Sequence, residues 1–181
     1  ARLVGGLVFA LGFILVVIAG AELFTGNNLL VMACIDGLIS FRQLIQNWAI
    51  VYIGNFMGAM GILLLMYLSG LWWQGDGALG HKVVAIADSK VNMSWIEVFT
   101  RGVLCNILVC LAVWLCMAGR SVTDKVLAVI FPITAFVALG FEHSVANMFF
   151  IPAGLLAETQ AETSLVISEQ LTIGGFFWHN L

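Results

Sequence analysis

The chain has 181 residues, 62% of them hydrophobic and only 9% charged, with a formal net charge of −3. A soluble globular domain carries about 25% charged residues, so an ordinary soluble core is excluded, and the lack of a basic patch with interleaved aromatics argues against a nucleic-acid partner. Cys34, Cys105, Cys110 and Cys116 form no CxxC pair and no Cys/His cluster. They read as buried structural thiols rather than metal ligands or disulfides.

In chain order, the first apolar segment covers residues 3–35, and its opening part, 3–21, contains no Asp, Glu, Lys, Arg or His. It exceeds the about 7–15 residues of a signal-peptide core and has no clean small-residue cleavage site before the next hydrophobic stretch. A polar connection, 36–42, leads to a second segment at 44–71. A longer polar connection, 74–92, precedes a third segment at 94–117. The fourth, 125–157, follows a short connection at 118–124. The tail, 158–181, carries Glu158, Glu162 and Glu169 and then Phe176, Phe177 and Trp178. Each segment reaches the roughly 20 residues needed to span a bilayer. Backbone groups in hydrocarbon must be satisfied within the segment, so the runs are predicted to be helices. The short alternating segments of a β-barrel are missing.

The predicted fold is therefore an all-α polytopic membrane protein forming one transmembrane domain over residues 1–181. Arg42, Arg120 and Lys125 flank one set of connections and Lys82 and Lys90 the other. That bias favours a cytoplasmic side for 36–42 and 118–125 and a non-cytoplasmic tail. Trp72, Trp73 and Trp95 fit an interfacial belt on the opposite side. Gly54 and Gly58 form a GxxxG pair, which reads as close helix packing.

The first and fourth segments are each too long for one simple span, and each carries a glutamate in mid-run. Gly20-Ala21-Glu22-Leu23-Phe24-Thr25-Gly26-Asn27 aligns with Gly140-Phe141-Glu142-His143-Ser144-Val145-Ala146-Asn147, and Gly, Glu and Asn recur at one offset of 120 residues. Corresponding interrupted helices in two halves point to a midplane site in a repeat-built transporter. If each interrupted segment crosses fully, the two run antiparallel and the repeat is inverted.

These residues carry a resemblance. The stretch from Gly140 through Met148, followed by Phe149, Phe150, Ile151 and Pro152, resembles the signature of the formate/nitrite transporter family, as does Ala21 through Asn27. Asn55, Lys90, the run Arg101 to Asn106 and the run Arg120 to Lys125 match further family motifs, so the resemblance covers about residues 1–157. The form around His143 is more similar to formate than to nitrite channels. The family implies an aquaporin-like bundle of six spans, with two inverted three-helix repeats and two broken helices. It also implies a homopentamer with one pore in each protomer. Against that pattern, this chain begins at what would be the family's second helix and stops before its sixth.

The resemblance assigns candidate residues. It places His143 midway along the pore, where an imidazole can hydrogen-bond a carboxylate or lend it a proton. An ionisable side chain inside a membrane is a functional candidate by its cost alone. Thr25 is expected on the loop that breaks the first segment, facing the histidine. The plain alternative is a helix-end hydroxyl bonded to its own backbone. Phe9, Phe13 and Phe136 match positions that narrow the pore, or else are core aromatics. Lys90 and Asn106 match residues close to the anion pathway. Glu22 and Glu142 are expected to accept backbone amides at the helix breaks, with a neighbouring polar side chain as a further partner, since carboxylates would repel an anion. Asn27 and Asn147 are expected to cap the resumed half-helices, with direct substrate contact as the alternative.

The resulting expectation is a pH-sensitive channel for formate and similar monovalent anions in the bacterial inner membrane, with the bilayer and further copies of itself as partners. A nitrite or hydrosulfide channel of the same fold and a proton-coupled formate transporter remain as alternatives. No cofactor, metal or catalytic motif is found, so an enzyme is not expected.

Overall fold

The uncharged runs of Leu, Val, Ile and Phe become helices in the computed structural model, which describes residues 2–159 and 169–180. They are α1 (Arg2–Ala19), α2 (Phe24–Asn27), α3 (Leu30–Ile35), α4 (Phe41–Leu68), a 3₁₀ turn (Leu71–Trp73), α5 (Ala78–Val91), α6 (Trp95–Ala118), α7 (Val122–Leu139), α8 (Ser144–Glu158) and α9 (Ile173–Asn180). Among the described residues there is no strand. Glu162 and its neighbours in the tail lie outside the described residues.

Four helices, α1, α4, α6 and α7, are long and apolar enough to cross a membrane, which makes this a multi-pass membrane protein. Many of their large apolar side chains face outward, among them Leu7, Leu11, Ile53, Met57, Leu111 and Phe131. Exposed apolar side chains in this number need lipid or protein against them rather than water.

One connection differs from the sequence expectation. Residues 74–92 read as a polar link, yet they contain α5. His81, Lys82, Asp88 and Lys90 dilute its hydropathy, while Gly80, Val83, Val84, Ala87 and Val91 keep the helical spacing of one buried stripe. Trp72, expected at the membrane interface, is buried there against Tyr67, whereas Trp95 is exposed. Gly54 and Gly58 meet no neighbour within 4 Å, so the GxxxG pair packs against nothing among the described residues.

The chain divides into two compact units. The first comprises residues 1–55 and 100–143. Here α1 lies along α7, and Ala10, Phe13, Cys105, Val109, Ala112, Cys116, Val129, Ile133 and Phe136 form the core. The α6 members recur at helical spacing, so one stripe of that helix is buried. Gly6 allows the closest approach: a Cβ there would sit 2.8 Å from the Thr134 carbonyl oxygen.

The second unit comprises residues 56–99 and 144–181. There α5 packs on α8, with the α5 stripe against Ile151, Ala153 and Ala157 and with Leu171 and Phe176 completing the core. Gly154 sits directly on Ala87, leaving no room for a methyl group.

Gly6→Ala and Gly154→Ala in the intact protein are each expected to cost about 1–3 kcal/mol through overpacking. Gly12→Ala, which meets open space within this chain, should be neutral or slightly stabilising. Unfolding of the detergent-solubilised protein measures all three. Equal stability of the three variants would show that the helix pairs do not depend on these close approaches.

Candidate functional site

The site begins with two helix ends. α1 stops at Ala19 because Gly20 takes a left-handed conformation (φ 71°), and the Ala21 amide donates back to the Val16 carbonyl at 2.9 Å. α7 stops at Leu139 in the same way, with Gly140 at φ 73° and the Phe141 amide donating to the Phe136 carbonyl at 3.0 Å. Glycine adopts this conformation without a Cβ penalty, and the six-to-one hydrogen bond closes the helix. In both places a non-helical segment follows, 21–23 or 141–143, before helix resumes at Phe24 or Ser144. The offset of 120 residues seen in the sequence therefore recurs in backbone geometry and hydrogen bonding.

Within the first unit the two breaks meet. The Thr25 hydroxyl oxygen lies 3.1 Å from His143 Nε2. Both residues are buried, with 6% and 7% of their surface exposed. A hydroxyl both donates and accepts, so Thr25 can pair with this nitrogen whether or not it carries a proton. The Phe136 ring stacks on the imidazole at 6.0 Å, and Phe9 meets Phe136 edge-on at 5.5 Å. Phe13 and Phe136 belong to the apolar core of this unit, and Phe9 packs against it. His143, Thr25, Phe136 and Phe9 thus form one continuous chain of contacts, with Phe13 in the same cluster.

The remaining candidates are placed differently. Glu22 is exposed, and its carboxylate accepts a hydrogen bond from the Asn27 side chain rather than from a backbone amide. The same Asn27 nitrogen donates to Asn47 Oδ1 at 2.9 Å, and the Trp48 indole donates to the Asn27 carbonyl at 3.0 Å. Neither asparagine caps a helix. Asn27 is the last residue of α2, and Asn147 lies inside α8, where it is buried. The N-cap position of α2 is Leu23, which has no side chain able to cap. Glu142 is buried. Asn106, on α6, has a buried Oδ1 with no hydrogen-bond partner among the described residues. Lys90 belongs to the second unit, where its ammonium lies 5.8 Å from the centre of the Phe150 ring.

A cavity of about 640 Å³ opens in the first unit beside the break, and its lining includes Phe13, Glu22, Asn27, Asp36 and Lys125. Among the described residues no three His, Cys, Asp or Glu side chains gather as a metal site.

Sequence reasoning gave no role to Asn47 and Trp48 and treated Asn55 only as a motif match. All three lie on α4 and hydrogen-bond the first break. Their signal was present as amides and an indole recurring within an otherwise apolar helix.

The family model described as formate/nitrite transporter matches residues 1–181. "Formate channel FocA" of Haemophilus influenzae is 49% identical over 155 residues, which are 86% of this chain and 55% of that protein. "Formate channel FocA" of Escherichia coli K12 is 49% identical over 156 residues, with the same shares. A solved structure described as "Pentameric formate channel with formate bound" superposes with a TM-score of 0.88 at 39% identity, covering 99% of this chain and 73% of that one. The chain spans about half the length of the FocA relatives it matches.

The polar cluster on the first break predicts a graded loss of stability. Asn27→Leu leaves Glu22 and Asn47 without this donor, and should cost about 1–3 kcal/mol. Trp48→Phe removes a single hydrogen bond, and should cost about 1 kcal/mol. Thermal unfolding in detergent checks both. A wild-type midpoint for Asn27→Leu would show that this cluster does not hold the break.

Proposed function

The chain belongs to the formate/nitrite transporter family, and from that premise we propose that the intact protein is a pH-sensitive channel for formate and related small monovalent anions. We place it in a bacterial inner membrane and, like the relative described as pentameric, in a homopentamer. We take the two interrupted segments as equivalent halves of an inverted-repeat, aquaporin-like bundle. The shared offset, the paired left-handed glycines and the matching six-to-one hydrogen bonds support that reading.

The observation that carries the functional proposal is the contact of Thr25 with His143 at the meeting of the two breaks. Histidine changes charge within roughly pH 5–8. An anion arriving at a protonated imidazole meets a positive charge and two hydrogen-bond donors, Nε2–H and the Thr25 hydroxyl. Formate can take the Nε2 proton there, becoming formic acid and leaving a neutral imidazole. The acid returns the proton when it leaves. A neutral species escapes most of the desolvation cost that an ion meets in an apolar passage. The aromatic side chains of Phe9, Phe13 and Phe136 supply such a passage, and apolar constrictions exclude hydrated ions. Glu22 and Glu142 serve structure at the breaks. Lys90 serves as a positive charge that concentrates anions, and Asn106 as a polar group toward the path.

The test is stopped-flow flux into proteoliposomes of the intact protein, comparing formate, nitrite and hydrosulfide at two pH values. Fast formate flux without an imposed gradient is expected, with its pH dependence lost in His143→Asn. Thr25→Val should slow flux roughly tenfold, the scale of one buried hydrogen bond. Unchanged pH-dependent flux in His143→Asn would end the proton-lending mechanism. Uptake only under an imposed proton gradient would make the protein a coupled transporter, and preferential passage of nitrite or hydrosulfide would reassign the anion.

A further inference from the structure

The backbone leading into Thr25 is extended and lacks a cap of its own. Leu23 has φ −125° and ψ 122°, and offers no polar side chain to the amides of the short helix that follows. Asn55, far along the chain on α4, supplies what is missing. Its Nδ2 donates to the Glu22 carbonyl at 3.0 Å, and its Oδ1 accepts from the Phe24 amide at 3.0 Å. One planar carboxamide therefore pairs with the carbonyl before Leu23 and the amide after it, as a neighbouring β-strand would. We propose that Asn55 is a positioning residue that sets the Thr25 hydroxyl against His143. This inference rests on the reading of Thr25 and His143 as the groups facing the anion.

Four further contacts support a positioning role. The Phe24 ring sits edge-on to Tyr52 at 4.9 Å and to Trp48 at 6.3 Å, both on α4. The Trp48 indole holds the Asn27 carbonyl at 3.0 Å. The Cys110 thiol approaches the Thr25 carbonyl at 3.7 Å. α4 thus grips the chain on both sides of Thr25, at Glu22 and Phe24 through Asn55 and at Asn27 through Trp48. The hydroxyl is left at 3.1 Å from Nε2, and a hydrogen bond of that length is lost by a shift of about half an ångström to one ångström. Donor and acceptor must both be present, and at this reach. Leucine keeps the branching of asparagine at Cγ, in a larger side chain, and offers neither. Aspartate keeps the acceptor for Phe24 and loses the donor to Glu22.

The experiment uses the intact protein and reads position and transport separately. Hydrogen exchange reports the amides of Phe24 and Thr25. Formate flux against pH is measured for wild type, Asn55→Leu, Asn55→Asp, Thr25→Val and the double variant Thr25→Val/Asn55→Leu. In Asn55→Leu these amides are expected to exchange on the order of tenfold faster, with slower flux and a displaced pH midpoint. Asn55→Asp should fall between Asn55→Leu and wild type. The double variant should transport no worse than Thr25→Val, because residues acting through one contact are not additive. Unchanged exchange in Asn55→Leu, or fully additive losses in the double variant, would overturn the inference. Faster exchange with wild-type flux in both single variants is a separate failure, because it overturns the reading of Thr25 on which the inference stands. If Asn55→Leu does not fold, Asn55→Asp carries the same test, and wild-type exchange at Phe24 and Thr25 together with a wild-type pH midpoint overturns the inference.

Discussion

A helix interrupted within a long apolar run leaves amides and carbonyls without intrahelical partners, and the organisation of the first unit follows from meeting that demand. The end of α1 closes through a left-handed glycine and a six-to-one hydrogen bond, and the end of α7 closes in the same way. The residues beyond the first of these ends are not self-sufficient. Their carbonyl and amide groups are taken by Asn55, and a carbonyl one turn later is taken by Trp48. Non-helical backbone in a membrane protein is tolerated only where other protein groups or a water-filled cavity receive it. Here protein groups receive it, because α4 binds the break, which also borders a cavity of about 640 Å³.

The same constraint explains why the site is where it is. A continuous helix turns its polar groups inward and presents only side chains. A broken one can place a hydroxyl and an imidazole opposite each other from segments 118 positions apart. The aromatic neighbours then matter twice. Phe136 stacks on the imidazole and is also part of the core between α1, α6 and α7, so the ring orientation is tied to the packing of that core. Gly6 on Thr134 lets α1 approach α7 closely, which in turn supports the contact of Phe9 with Phe136.

The second unit solves a plainer problem. α5 is charged on its outer side and apolar along one stripe, and it buries that stripe against α8 with Gly154 and Ala87 in direct contact. Lys90 is partly buried on this helix and finds the face of Phe150. A cation over an aromatic ring is held there by the ring quadrupole.

The sequence by itself determined that α1, α4, α6 and α7 are helices fit for a bilayer, because a long uncharged run has no other stable form there. It also located both breaks, because Gly20 and Gly140 with their following glutamates are the polar interruptions of apolar runs. Through the family resemblance it put His143 in the second break motif and expected Thr25 on the first breaking loop, whereas Thr25 lies in α2, just past the non-helical residues 21–23. It missed α5, whose charges masked a regular apolar stripe, and it misjudged Asn27 and Asn147, whose residue type is that of a cap while their positions are inside helices. Only the tertiary structure decided which groups hold the first break. Asn47, Trp48 and Asn55 lie 20 to 33 residues from their partners. A hydrogen bond depends on distance and angle in space, and nothing in the local pattern of α4 says which turn of that helix will lie beside residue 22 rather than beside lipid.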